Sequence, residues 1–220
     1  MQSIFEFLMS KENFSHVFPI LIVGSIALVI MFERYRALMH RYPMSNEMGF
    51  FNKLRDLIMS DHLAEAIALC DQYPGKPIPQ VVREALLRAH QPESMIEDGI
   101  SLAISNAQQQ IQKRTPFLAT IANVATLLGL FGTILGLIQS FNAVGNASAQ
   151  QRSALLSAGI STSMYATMMG LGVAIPCMLA FAFFTNKINH MNSEVEQAAI
   201  KTLDLLKQRF YAADMEMHKD

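Results

Sequence analysis

The feature that most constrains this chain is a gap in its charge. All 18 acidic residues lie before Gly99 or after Ser193, so the 95 residues from 99 to 193 carry no carboxylate. Compact soluble domains intersperse charge along their length, at about 25% of residues. This chain is 16% charged with a mean hydropathy of +0.25. Those values exclude a disordered chain and argue against an ordinary soluble enzyme. The net charge of −1 leaves no basic footprint for nucleic acid. Cys70 and Cys177 are too few for a disulfide scaffold and lack metal-ligand neighbours, so both read as reduced, structural thiols.

A helix that crosses a bilayer needs about 20 mostly apolar residues. Three stretches qualify, at 14–32, 116–141 and 155–185, the last long enough to tilt or to project. A secretory leader is the rival reading of the first and fits it poorly, because the residues before it are not basic and no small-x-small cleavage site follows. Pro176 lies inside the third stretch, where a missing N–H predicts a kink. Of 17 basic residues, ten lie between the first two stretches and five follow the third, leaving Lys11 and Arg152. Basic flanks stay in the cytoplasm. The predicted layout places 1–13 outside as an interfacial helix, 33–115 and 186–220 inside, and the 142–154 connection outside.

The inside segments read as helical. Met44–Met59, His62–Asp71 and Val81–Ala89 have helical apolar spacing, with Pro74, Gly75, Pro77 and Pro79 as a break. Ser94 to Glu97 has capping-box spacing for a long helix able to run straight into the second span. Val195, Ala198, Ala199, Thr202, Leu205, Leu206 and Phe210 form an apolar stripe that continues the third helix as a stalk. No strand pattern of any length is present. The expected fold is an all-α membrane protein with three transmembrane helices and long helices extending into the cytoplasm.

Catalytic constellations are missing. No two of the six histidines share a helical face at metal-binding spacing, and no phosphate loop or nucleophile motif occurs. The reading is therefore a non-enzyme without a cofactor. Gly129, Gly132 and Gly136 read as small residues that let membrane helices approach closely, not as a nucleotide loop. Hydroxyl residues are more informative. Asn123, Thr126, Thr133 and Ser140 share one stripe of the second span, and Ile160, Ser163, Thr167, Gly170 and Ala174 share one of the third. Such stripes serve helix packing, or they line a pore or face a partner helix. Membrane proton relays use carboxylates or histidines, and the second and third spans have neither. A titrating group would have to come from another polypeptide.

Two segments carry a family resemblance. Leu127-Leu-Gly-Leu-Phe-Gly-Thr-Ile-Leu-Gly136 resembles the second-helix motif of the MotA/TolQ/ExbB proton-channel family. Gly159-Ile-Ser-Thr-Ser-Met-Tyr-Ala-Thr167 and its continuation to Pro176 resemble the third-helix motif. Ala64–Cys70 and the Pro-rich break after it are similar to the cytoplasmic region of ExbB/TolQ-type members, and the three-span layout agrees with that branch. The resemblance implies a homopentameric channel in the bacterial inner membrane. It would enclose a dimer of a single-span ExbD/TolR-like partner whose transmembrane Asp carries the ion. Ion flow would drive mechanical work or transport across the envelope, through a TonB- or TolA-like protein. The family's channel-lining threonines map to Thr133 and Thr167. Members often carry a Glu five residues before the second threonine, and Thr162 stands there. Hydroxyls in place of a carboxylate raise sodium, held through Thr133, Thr162 and Thr167, as an alternative to protons. The competing function is a structural membrane scaffold whose pore never conducts.

Overall fold

The structure is a computed structural model that describes residues 11–44, 46–145 and 148–217; the side chains of 11–17, 162 and 212–217 lie outside the description. The expected helix at 1–13 therefore falls almost wholly outside the described residues. Every element is helical: α1 (Lys11–Arg36), a short π-helix (Ala37–Arg41), α2 (Glu47–Met59), α3 (Leu63–Asp71), α4 (Pro77–Leu87), α5 (Glu93–Gln112), α6 (Thr115–Gly145) and α7 (Arg152–Met217). Among the described residues three stretches are long and apolar enough to cross a membrane; two contain the predicted spans 116–141 and 155–185, and the first, Phe18–Arg41, overlaps the predicted 14–32 from Phe18 on. The contacts divide the chain into two units. One holds residues up to Arg34 with Arg114–Phe183, and the other holds Tyr35–Lys113 with the chain from Phe184 on.

The first unit packs α1, α6 and the first half of α7. Its core is built from small residues: Ala27, Ala122, Ala125, Ala174 and Cys177, flanked by Val23, Met31, Ile121 and Val173. Large side chains such as Leu28, Val29, Phe32, Leu127, Phe131, Phe141 and Leu179 lie exposed. α7 passes through Pro176 as one continuous helix.

The second unit is a helical bundle with a conventional core. Phe50, Leu54, Ile58, Val81, Val82, Leu86, Ile111 and Val195 are all fully buried or nearly so. Of the predicted tail stripe, Val195, Ala198, Ala199, Thr202 and Leu206 are buried, while Phe210 is exposed. Ion pairs rim the bundle: Arg209 to Asp61, Lys207 to Glu93 and Glu97, and Arg83 to Asp71.

Three local expectations need correction. The Pro-rich break is narrower than expected. Gly75 takes the left-handed conformation at φ 76°, but Pro77 and Pro79 open α4. Proline suits a first helical turn, whose N–H groups have no intrahelical acceptor. The capping box is not used either. Pro92 precedes α5, so Ser94 lies within the first turn, and its side chain is not the cap. Lastly, α5 does not run straight on. Lys113 is extended (ψ 131°) and Arg114 is left-handed at φ 64°, so α6 starts afresh at Thr115. Periodicity continued across this point gave no sign of the break.

Candidate functional site

The site lies where α6 crosses α7 in the first unit, and glycines make the crossing possible. A Cβ placed on Gly170 would sit 2.6 Å from the Ala125 carbonyl oxygen and 2.9 Å from the Gly129 Cα. One on Gly129 would sit 3.2 Å from the Gly170 and Thr167 Cα atoms. Farther along, Gly136 faces Ser163, and Gly159 faces Ser140 so closely that no side chain fits. The paired positions run in opposite directions along the two helices, which fixes an antiparallel register. Without a hydrophobic drive between helices in lipid, such close backbone approach is what holds them together.

That approach brings Thr133 and Thr167 together. Their hydroxyls hydrogen-bond to each other across the crossing. The Thr133 hydroxyl also lies 3.1 Å from the Gly129 carbonyl and 3.3 Å from the Ser163 carbonyl. The Thr167 hydroxyl lies 3.3 Å from the same Gly129 carbonyl. Two hydroxyl protons thus serve a cluster of four oxygens, rich in acceptors and poor in donors. Below it, Ser163 donates to its own helix at Gly159 (2.8 Å), as Ser140 does at Gly136 (2.6 Å). Such a cluster can accept a donor from another chain, order water, or offer oxygens to a hard cation. It cannot by itself relay a proton near neutral pH. α6 holds no Asp, Glu, His, Lys or Arg, and α7 holds none between Arg152 and Lys187. Among the described residues no cluster of His, Cys, Asp or Glu suits a metal.

The other predicted residues separate. Ser163 and Gly170 are buried in the crossing, Gly132 is buried on α6, and Ala174 joins the small-residue core. Asn123 and Thr126 are exposed, and Thr126 turns its hydroxyl back to Ala122 at 3.0 Å. The second-span stripe therefore divides: its Thr133 and Ser140 end faces α7, and its Asn123 and Thr126 end faces away. Pro176 lines a separate groove against α1, and the side chain of Thr162 lies outside the described residues.

Sequence reasoning missed the Gly159–Ser140 contact and a charge cluster at the edge of the unit. Glu33 receives Arg34 on one carboxylate oxygen at 3.0 Å and Arg114 on the other at 2.5 Å. The first could have been found by pairing the two stripes in antiparallel register. The second links residues 81 apart and left no local signal.

Residues 74–197, which include both halves of this crossing, match the MotA/TolQ/ExbB proton channel family. The chain belongs to that family. It is similar to the Tol-Pal system protein TolQ of Haemophilus influenzae, 32% identical over 47% of this chain and 46% of that protein. It is similar also to TolQ of Pseudomonas aeruginosa, 30% identical over 65% of this chain and 57% of the relative. A putative biopolymer transport protein, ExbB-like 3 of Synechocystis, is 32% identical over 66% and 70%. The chain spans about half the length of the two TolQ relatives. The resemblance read from the Leu127–Gly136 and Gly159–Pro176 motifs thus holds as family membership.

Proposed function

We propose that this chain is the channel or stator-like subunit of an inner-membrane motor complex driven by the proton or sodium motive force. Its working form is a homopentamer around an ExbD/TolR-like single-span dimer. That dimer brings the Asp that carries the ion, and the complex energises transport or mechanical work across the cell envelope. A TonB- or TolA-like protein receives the work. The N-terminus is periplasmic and the C-terminus cytoplasmic, a reading supported by the distribution of basic residues.

One observation carries this reading: an acceptor-rich hydroxyl cluster sits where α6 crosses the 153–186 stretch of α7, and neither segment holds a titratable acid or base. The cluster is matched to a donor or an ion supplied from outside the chain, and a protonated carboxylic acid is such a donor. The exposed Asn123 and Thr126 lend support, since polar side chains within a membrane face protein or water rather than lipid.

The non-conducting scaffold also has an observation in its favour, because Thr133 and Thr167 are already satisfied within the crossing. The two readings separate under Thr133→Val and Thr167→Val, which keep the shape and remove the hydroxyls. The chain is co-expressed with its partner and reconstituted, and ion flux is followed in proton-only and sodium-containing media. The channel reading expects at least a tenfold loss of flux with assembly intact. No flux from the unmodified complex would establish the scaffold instead, and flux unchanged in both variants would remove these hydroxyls from the ion path. Flux in sodium-free medium, with no stimulation by added sodium, would exclude the sodium alternative.

A further inference from the structure

The first unit contains a buried charge that its own residues leave half-compensated. Arg34 is 3% exposed, at the end of α1. Its Nη2 donates to Glu33, but Nε and Nη1 have no hydrogen-bond partner among the described residues. Arg34 lies two turns beyond Ala27 on α1, and Thr115 lies two turns before Ala122 on α6. Ala27 and Ala122 share one core cluster, so the antiparallel register puts Arg34 and Thr115 at one level. The Thr115 hydroxyl is likewise buried and without a partner there. Glu33 is the only acid among the described side chains of this unit, and both its oxygens are divided between Arg34 and Arg114. The cluster therefore holds two cations and one anion, with the guanidinium of Arg34 sealed inside. A buried cation without full compensation is costly, and its field is weakly screened.

Beside this collar runs a groove of about 240 Å³ between α1 and α7. Leu21, Leu28 and Met31 line it from α1, and Gly172, Val173 and Pro176 from α7. Its α1 wall runs from Leu21 to Met31, eleven residues and about 15 Å end to end at 1.5 Å per step, a length suited to a stretch of lipid acyl chain rather than to one side chain. Met31 lies one turn from Arg34, so the groove opens toward the charged collar. A phospholipid combines an anion with an apolar chain, and here an apolar groove ends at Met31, within one helical turn of the charged Glu33 and Arg34 on α1.

We propose that this surface is a binding site for an anionic phospholipid. The phosphate sits on the half-exposed Arg114, held in the added field of Arg34, and one acyl chain lies in the groove. The inference is independent of ion conduction. It is tested on the full chain in detergent by native mass spectrometry, titrating phosphatidylglycerol, phosphatidylcholine or inorganic phosphate. The unmodified chain should retain phosphatidylglycerol at least fivefold better than phosphatidylcholine. Arg114→Gln should abolish that preference. Gly172→Leu fills the groove where an added Cβ meets nothing within 4 Å, so it should lower retention of both lipids. Equal retention of the two lipids by the unmodified chain overturns the proposal, whatever the variants do. Displacement of phosphatidylglycerol by millimolar inorganic phosphate also overturns it, because the site would then select a free anion.

Discussion

The two units of this chain are both helical, yet they are packed by opposite means. In the bundle unit the fully buried side chains are large: Phe50, Leu54, Ile58, Leu86 and Ile111. In the apolar unit the buried positions are mostly Ala, Gly, Ser and Thr, while most Leu, Ile and Phe side chains point outward, Ile20 and Leu118 excepted. Water makes the first arrangement favourable, since each large side chain removed from it contributes about 1.5–3 kcal/mol. Lipid removes that drive, and helices then associate through close contact and interhelical hydrogen bonds. The glycines that permit the contact are also what bring Thr133 and Thr167 within bonding reach. Packing and function therefore share residues in the apolar unit, whereas the bundle unit is free to use bulk.

The contrast is broken most forcefully in the bundle. Phe50 is buried and meets Phe51 and Tyr73 edge-on at 5.4 and 5.6 Å. Phe50→Ala should cost about 3–5 kcal/mol, read as a lower denaturation midpoint for the full chain in detergent. A loss below about 1 kcal/mol would mean that this core is not packed as described. Next in size is the reverse change in the apolar unit. Gly170→Val forces a side chain against the Ala125 carbonyl and should cost about 1–3 kcal/mol. Gly172→Ala, two residues away and facing open space, should be neutral or stabilising by up to about 1 kcal/mol. If thermal melts of the two variants coincide, the close crossing is wrong.

The smallest effect concerns Cys70. Burial, with the neighbouring Asp71 adding to it, pushes this thiol up to about 12. It should stay protonated and resist iodoacetamide at pH 8 in the folded chain, reacting only on denaturation. The folded state holds this proton more tightly than the unfolded one. The linked contribution is therefore complete below pH 9 and fades as pH climbs from there through about 12. Rapid alkylation of the native chain would place Cys70 outside the core.

Much of this was legible beforehand because the bilayer imposes one-dimensional rules. Span length, charge-free composition and the small-residue spacing at Gly129, Gly136 and Gly170 are properties of a single helix read along its axis. Val82, Ala85 and Leu86 fall on one face of a helix by their 3-1 spacing and are buried together, for the same reason. Hidden features involve either partners distant in sequence or a backbone angle. Nothing near Glu33 announces Arg114, and a basic pair such as Lys113-Arg114 reads as a span boundary whether or not the helix breaks there. The left-handed Arg114 is unusual for a side chain of its size.

The sequence by itself determined that this chain must sit in a membrane, that it has three apolar spans, and that the second and third of them, 116–141 and 155–185, carry no acid or base. Those conclusions follow from solvation, which acts on each segment separately. Only the tertiary structure decided that Thr133 bonds Thr167, that Gly159 admits Ser140, and that two arginines share one glutamate. Helical spacing says which residues share a face. The level at which one face meets another is set by the closest approach of two backbones, and no single segment contains that information.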